Sequence, residues 1–114
     1  RRPLEAIREV PGREGTCTVR FTHLYPDGPA PYFTWHALGD KAALVEQFWA
    51  IKSAASQAMI DAGGTITHHH ALGRDHRTWY DQERPDLFAE GIKAVKRRFD
   101  PKAVLNPGIL VDPD

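Results

Sequence analysis

The chain has 114 residues, in which 15 basic and 15 acidic side chains cancel to a formal net charge of zero. This length fits one small domain, and the balanced charge gives no reason to expect a nucleic-acid partner. The single cysteine, Cys17, excludes an internal disulfide and is typical of a reducing compartment, so we expect a cytoplasmic protein. The chain opens abruptly without a methionine, and we expect it to be a piece of a larger protein.

The first third of the chain predicts a short helix followed by a β-hairpin. Apolar residues at helical spacing favour a helix over residues 3–10. β-Branched and aromatic residues favour strands over 16–25 and 32–37. Three prolines and a glycine between them predict a loop over 26–31, so the strands are expected to form an antiparallel pair.

Side chains on a strand point alternately to its two faces. In the first predicted strand, Arg20 and Thr22 therefore share one face, and His23 is expected on the other. In the second predicted strand, Tyr32 is expected on the opposite face from its aromatic neighbour Phe33. Cys17 is interpreted as a small buried hydrophobe.

Two amphipathic helices are predicted next. The first spans residues 40–62, with Asp40 as its N-cap and Gly63 as the left-handed residue that closes it. The second spans 85–99, with Pro85 in its first turn. Its stripe of apolar residues at steps of three and four is expected to be buried, namely Phe88, Ile92, Val95 and Phe99. The elements together predict an α+β fold, in which a small antiparallel sheet or hairpin is packed by two main helices.

Three shorter segments complete the chain. Residues 74–80 lack a period and fit either a short helix or an irregular segment. Residues 104–110 contain an Asn-Pro-Gly turn between apolar residues, and we expect them to be docked. A basic run at the end of the second helix complements the helix dipole and is interpreted as a solvated face; it consists of Lys93, Lys96, Arg97 and Arg98.

The most specific feature of the sequence is the run of histidines at positions 68, 69 and 70. Three successive residues cannot share one face of a strand or a helix, so the run favours a tight loop. Gly63-Gly64 before it and Gly73 after it supply backbone freedom. The first long helix leads directly into this loop, and a rigid helix end can place loop side chains reproducibly.

From the residues alone, three interpretations of the histidines stay open. The chain has six histidines, enough for a zinc site, but it lacks a paired ligand spacing and adjacent rings are expected to diverge. Imidazole titrates near neutral pH, which suits proton transfer or the binding of a charged intermediate. Alternatively, the rings only satisfy the backbone of a crowded loop. Three histidines between glycines favour the acid–base interpretation.

Other candidate residues are less specific. Tyr32 fits either a core or a functional role, because aromatic residues on strands commonly pack in cores. Arg20 and Arg74 can each bind a phosphate or carboxylate with two hydrogen bonds, although exposed arginines commonly do not. Ser53 and Ser56 are expected on a helix surface without a base in register, so nucleophilic serine chemistry has no support.

Four motifs together resemble the C-terminal part of the alkyldihydroxyacetonephosphate synthase family, which belongs to the FAD-linked oxidases of the vanillyl-alcohol oxidase superfamily. The motifs are Thr22-His23-Leu24-Tyr25-Pro26-Asp27-Gly28, Tyr32-Phe33, Gly63-Gly64-Thr65-Ile66-Thr67-His68-His69-His70, and Phe99-Asp100-Pro101-Lys102 with Leu105-Asn106-Pro107-Gly108. The resemblance covers about residues 16–112. The glycine–histidine stretch is the most specific part, although Ala71 stands where the family usually has glycine.

The resemblance implies FAD as the cofactor. Family members carry it mainly on an N-terminal domain, for which this chain has no room, and residues 1–114 are expected to form a C-terminal cap domain. The expected catalytic residues are Tyr32, His68, His69 and His70. His69, His70 and Asn106 are expected beside the cofactor, and no metal is implied.

The expected substrate contacts are Arg20, His23 and Arg74. The expected partners are the FAD-binding domain of the same protein and a small-molecule or lipid substrate, with peripheral membrane contact and a homo-oligomeric full-length protein. In the family, the synthase exchanges an acyl chain for a fatty alcohol without net redox turnover. The alternative is a zinc-binding or structural interaction module without enzyme activity.

Overall fold

A computed structural model describes residues 15–67 and 69–112 of the chain. In these residues a two-stranded antiparallel sheet precedes three helices, which confirms the α+β class. The elements are β1 (Gly15–Tyr25), β2 (Gly28–Ala37), α1 (Leu44–Asp61), α2 (Arg77–Glu83) and α3 (Asp86–Phe99). The helix expected over residues 3–10 lies outside the described residues.

The chain divides into two compact units, Arg1–Ala62 and Gly63–Asp114. The hairpin and α1 belong to the first unit. The candidate histidine loop, α2, α3 and the C-terminal segment belong to the second. In the part of the chain that the structure describes, no helix is both long enough and apolar enough to span a bilayer.

The return strand of the hairpin begins earlier than the sequence predicts. A loop is expected over residues 26–31, but the structure has only a turn at Pro26-Asp27. Pro29 and Pro31 belong to β2 and are paired with residues of β1. Proline cannot donate to a ladder, but each strand of a two-stranded sheet has one free edge. Because residues two apart turn their nitrogens to the same edge, both prolines fit without interrupting the pairing.

A β-bulge at Thr22 changes which residues share a face of the hairpin. The register shifts between Phe21 and His23, which leaves Thr22 as the extra residue of β1. One extra residue reverses the alternation beyond it. His23 therefore lies on the face of Arg20 and Tyr32, which are directly opposite each other in the register. The prediction that His23 lies away from Arg20 is wrong, because alternation assumes an unbroken ladder.

The other face of the hairpin is apolar and meets α1. Cys17 lies opposite Trp35 in the register, and the Trp35 ring lies 5.6 Å from the ring of Phe48 on α1, measured between centroids. Cys17 is half-buried, not fully buried as expected, and its partial burial raises the pKa of the thiol.

Helix α1 begins four residues later than predicted. Asp40 does not cap the helix but the turn before it, where its carboxylate accepts the backbone N–H of Ala42 at 3.0 Å. The Asp40 N–H in turn donates to the side-chain oxygen of Gln47 at 2.9 Å, which attaches the turn to the first turn of the helix. At the other end, Gly63 adopts a φ of 75°, which confirms its predicted left-handed role.

The buried positions of α1 are Ile51 and Ser56. The sequence predicts Ser56 on the helix surface, and this prediction is wrong because Ser56 is buried. The N-terminal part of the predicted apolar stripe is open instead, since Leu44 and Phe48 keep 51% and 41% of their surface exposed. Within the described residues, the first unit buries the middle of this helix more than its start.

Helix α3 buries a different side from the predicted one. Of the four residues predicted to be buried, Phe88, Val95 and Phe99 are exposed and Ile92 is half-buried. Ala89 is buried instead. Lys96 lies on the buried side of α3, so the prediction that it belongs to a solvated face is wrong. Its ammonium donates to Asp100 and to the carbonyl of Leu105, both at 2.7 Å. Only one side of a helix can pack inward. On α3 this is the side from which Lys96 binds the C-terminal segment.

Candidate functional site

The histidine loop is an exposed segment between two buried anchors. Ile66 and Leu72 keep only 7% and 9% of their surface exposed. His69 and His70, which lie between them, are exposed and belong to no helix or strand. This confirms the predicted loop. His68 lies outside the described residues.

Hydrogen bonds hold both arms of this loop. The N–H of Ile66 donates to the carboxylate of Glu83 at 3.0 Å. On the other arm, the Nδ1 of His76 donates to the carbonyl of Leu72 at 2.9 Å. Inside the loop, the hydroxyl of Thr67 donates to the carbonyl of His70 at 3.1 Å. Hydrogen bonds to its backbone therefore fix the loop, while the imidazoles of His69 and His70 are exposed.

The rings of His69 and His70 lie close together, contrary to the expectation that adjacent rings diverge. Their centroids are 4.4 Å apart and the ring planes meet at 68°, an edge-to-face arrangement. The backbone bends at these two residues, as it does not in a regular helix or strand, and this bend brings the rings together. Within residues 15–67 and 69–112, no three or more His, Cys, Asp or Glu side chains form a group that could hold a metal.

Helix α2 carries the residue Glu83 that binds the loop, and it is itself held in place by packing and ion pairs. Its third residue, Trp79, is buried, with 7% of its surface exposed. On its other side, Asp81 accepts from the Nε of Arg77 at 2.9 Å and from the Nε of Arg84 at 2.8 Å. The guanidinium of Arg77 also reaches Asp112 of the C-terminal segment at 3.1 Å. These contacts make α2 a firm support.

The predicted substrate residue Arg74 lies beside the Asn-Pro-Gly turn. Its Nη2 donates to the carbonyl of Pro107 at 3.3 Å. Asn106 and Gly108 both adopt positive φ, at 44° and 76°, which Asn and Gly tolerate best. Val111 follows with 3% of its surface exposed. The C-terminal segment is therefore docked, as predicted, and Asn106 is held at a tight turn.

Asp100 fixes the approach to this turn. Its carboxylate accepts the backbone N–H groups of Val104 and Leu105 at 2.9 and 3.0 Å, besides the ammonium of Lys96. The hydrogen bond from Lys96 and those two backbone donors hold the pKa of Asp100 below its usual value. The Asp-Pro motif of the sequence is thus a structural clamp on the C-terminal segment.

The first unit holds a second group of candidate residues on the polar face of the hairpin. The guanidinium of Arg20 lies 4.5 Å from the centroid of the Tyr32 ring. His23 is joined to Thr22 by a 3.0 Å hydrogen bond between its Nδ1 and the hydroxyl. Its ring stacks with that of Tyr25 at 6.4 Å. The register places Arg20, Tyr32 and His23 together, and it adds Tyr25, which sequence reasoning missed.

Glu83 is the other residue that sequence reasoning missed. A signal existed, because Glu83 lies four residues after Trp79 and shares its side of a short helix. That signal is interpretable only once residues 77–83 are known to be helical, which the sequence left open. The contact itself joins residues 17 positions apart and leaves no periodic trace.

The comparisons with known proteins give the class. The model of the FAD linked oxidases, C-terminal domain, matches residues 3–110, and the chain belongs to this family. This confirms the resemblance seen in the motifs. No solved structure gives a significant match.

Individual relatives refine the comparison. The chain is 32% identical over 102 residues to alkyldihydroxyacetonephosphate synthase of Trypanosoma brucei brucei, a match that covers 88% of this chain and 16% of that protein. The synthase of Dictyostelium discoideum is 24% identical over 82% of this chain and 15% of its own length. Glycolate oxidase subunit GlcD of Bacillus subtilis (strain 168) is 32% identical over 97% of this chain and 23% of its own length. The chain thus corresponds to a small part of these relatives.

Proposed function

We propose that residues 1–114 act as the C-terminal cap of an FAD-dependent enzyme and supply groups on the substrate side of its flavin. The observation that carries this proposal is the exposed pair of imidazoles at His69 and His70, on a loop anchored by Ile66 and Leu72. Exposed imidazoles on a segment whose backbone is held by hydrogen bonds suit proton transfer to a bound molecule.

The described residues fit the ring end of a flavin but not its diphosphate. The imidazoles of His69 and His70 and the amide of Asn106 offer hydrogen bonds to a polar ring edge. The sequence has no glycine-rich turn between a strand and a helix that would cradle phosphates. FAD, when bound, supplies the redox and carbon chemistry. We therefore place its diphosphate on another part of the full protein, the FAD-binding domain.

Tyr32 is proposed as a second proton-transfer group. The guanidinium of Arg20 lies over its ring, which holds the phenol in one orientation. Arg20 and His23 lie on the same face and offer donors to an anionic substrate. Arg74 keeps a proposed substrate role with the part of its guanidinium that does not bond to Pro107.

The relatives support two substrate classes. Two of the relatives compared above are named alkyldihydroxyacetonephosphate synthase and one is named a glycolate oxidase subunit. We propose a small anionic substrate, either a lipid-like ketone phosphate or a hydroxy acid. For the full-length protein we further propose a cytoplasmic homo-oligomer that contacts membranes peripherally when its substrate is a lipid.

The test is the activity of the full-length flavoprotein after substitution of its proposed catalytic groups. We expect His69→Ala, His70→Ala and Tyr32→Phe each to lower kcat by about 100-fold or more, because each removes a group that transfers a proton. His36→Ala is the matched control, since His36 is an exposed histidine on β2 without a proposed role. Both chemistries are assayed, namely flavin reduction by 2-hydroxy acids and exchange of an acyl chain for a fatty alcohol.

Flavin content and circular dichroism establish that each variant is folded and loaded. Wild-type turnover in all three folded variants contradicts the proposal. A loss equal to that of His36→Ala also contradicts it, because the effect is then not specific to the loop or to Tyr32.

A further inference from the structure

We propose that Glu83 is a positioning residue for the histidine loop, an inference that rests on the function proposed above. Its carboxylate accepts the backbone N–H of Ile66 at 3.0 Å, two residues before the run of histidines begins. Ile66 is buried, and a buried N–H without a partner costs free energy. The hydrogen bond thus decides where this arm of the loop can lie.

The location of Glu83 in α2 supports a dedicated role. It follows Trp79 by four residues, so the two side chains lie on the same side of the helix. Trp79 is buried, which makes this the packed side. Carboxylates rarely occupy packed positions unless a donor there satisfies them. The donor in this structure is the backbone of the loop.

Both arms of the loop are tethered to opposite ends of α2. Glu83 is the last residue of the helix and holds Ile66, whereas His76 immediately precedes the helix and holds the carbonyl of Leu72. The seven residues of α2 span about 10 Å. The helix therefore sets the separation of the two tethers, and through them the bend that brings His69 and His70 together.

Two ion pairs stabilise α2 and therefore this separation. Asp81 bonds Arg77 at one end of the helix and Arg84 just beyond the other. Neither contact involves Glu83, so its substitution removes neither of them. A change in the loop after substitution of Glu83 can then be assigned to the lost tether.

The experiment compares Glu83→Gln, Glu83→Asp and Glu83→Ala in the full-length flavoprotein. Glutamine keeps an acceptor at the same reach and is expected to retain most of the wild-type kcat. Aspartate keeps the charge but is one methylene shorter, and alanine has no acceptor. We expect both to lower kcat by about 10-fold or more, because small misplacements of catalytic groups have effects of this size. Glu90→Ala, an exposed glutamate on α3, is the control.

A second readout separates positioning from stability. NMR resonances of the His69 and His70 imidazoles are expected to shift in the aspartate and alanine variants and to stay at wild-type values in the glutamine variant. If alanine prevents folding, the aspartate and glutamine variants decide. Wild-type kcat and imidazole resonances in a folded Glu83→Asp variant overturn the inference, as does a Glu83→Gln variant as impaired as Glu83→Asp.

The results for the two sets of variants also distinguish this inference from the proposed function. If His69→Ala and His70→Ala have no effect on turnover, the proposed function fails whatever Glu83 does. If they abolish turnover while folded Glu83→Asp and Glu83→Ala behave as wild type, the function stands and the positioning role fails.

Discussion

The histidine loop and the hairpin both carry candidate site residues, but they position them in different ways. On the hairpin, each side chain is placed by the strand register, so Arg20 meets Tyr32 because the two are paired. In the loop, placement depends on tethers from Glu83 and His76, outside the segment itself. The hairpin site is therefore expected to tolerate changes outside its strands, whereas the loop site is sensitive to changes in α2.

The strongest way to test this difference is Trp79→Ala. Trp79 is the buried residue of α2, and loss of a buried tryptophan costs about 3–5 kcal/mol of unfolding free energy. We expect urea denaturation to show this loss, and NMR to show disturbed resonances at His69 and His70 with unchanged resonances at Arg20 and Tyr32. Trp49→Ala on α1 is the control, because Trp49 is 38% exposed. Equal disturbance of the hairpin would remove the contrast between the two regions.

A smaller effect is expected at the junction that leads into the loop. Gly63 has a φ of 75°, and a residue with a Cβ there costs about 1–2 kcal/mol. Gly63→Ala is therefore expected to lower the midpoint of thermal unfolding. Gly91→Ala within α3 is the matched control, because an added Cβ there meets no atom within 4 Å and alanine favours the helix by about 0.5–1 kcal/mol. A Gly63→Ala variant as stable as the wild type would show that this junction is not constrained.

The smallest effect concerns the hairpin. Arg20→Met keeps the aliphatic stem but removes the charge over the Tyr32 ring, and we expect a loss of about 0.5–1 kcal/mol, as for an exposed cation–π contact. A double-mutant cycle with Tyr32→Leu isolates this term. A coupling energy of zero would mean that the register alone positions these two residues.

Periodic elements were predictable because a local pattern encodes them. The strands, the two long helices and the left-handed Gly63 follow from alternation, helical spacing and glycine chemistry. The exposed loop was predictable for the same reason, since no regular element accommodates three successive histidines on one side.

Features that depend on distant contacts were not predictable. The bulge at Thr22 moved His23 to the face of Arg20, and no residue in β1 signals it. The buried side of α3 was mispredicted because Lys96 and Asp100 bind the C-terminal segment, which outweighs the apolar stripe. In the loop, the histidines were identified from sequence, but the Glu83 tether that places them was not.

Hydrogen–deuterium exchange of the full-length protein, prepared with and without flavin, tests the central claim most directly. If the histidine loop faces the cofactor, amides of residues 66–72 exchange several-fold more slowly in the flavin-loaded protein, while those of residues 51–61 in α1 keep their rates. Identical exchange of residues 66–72 in the two preparations would contradict the placement of His69 and His70 beside the flavin.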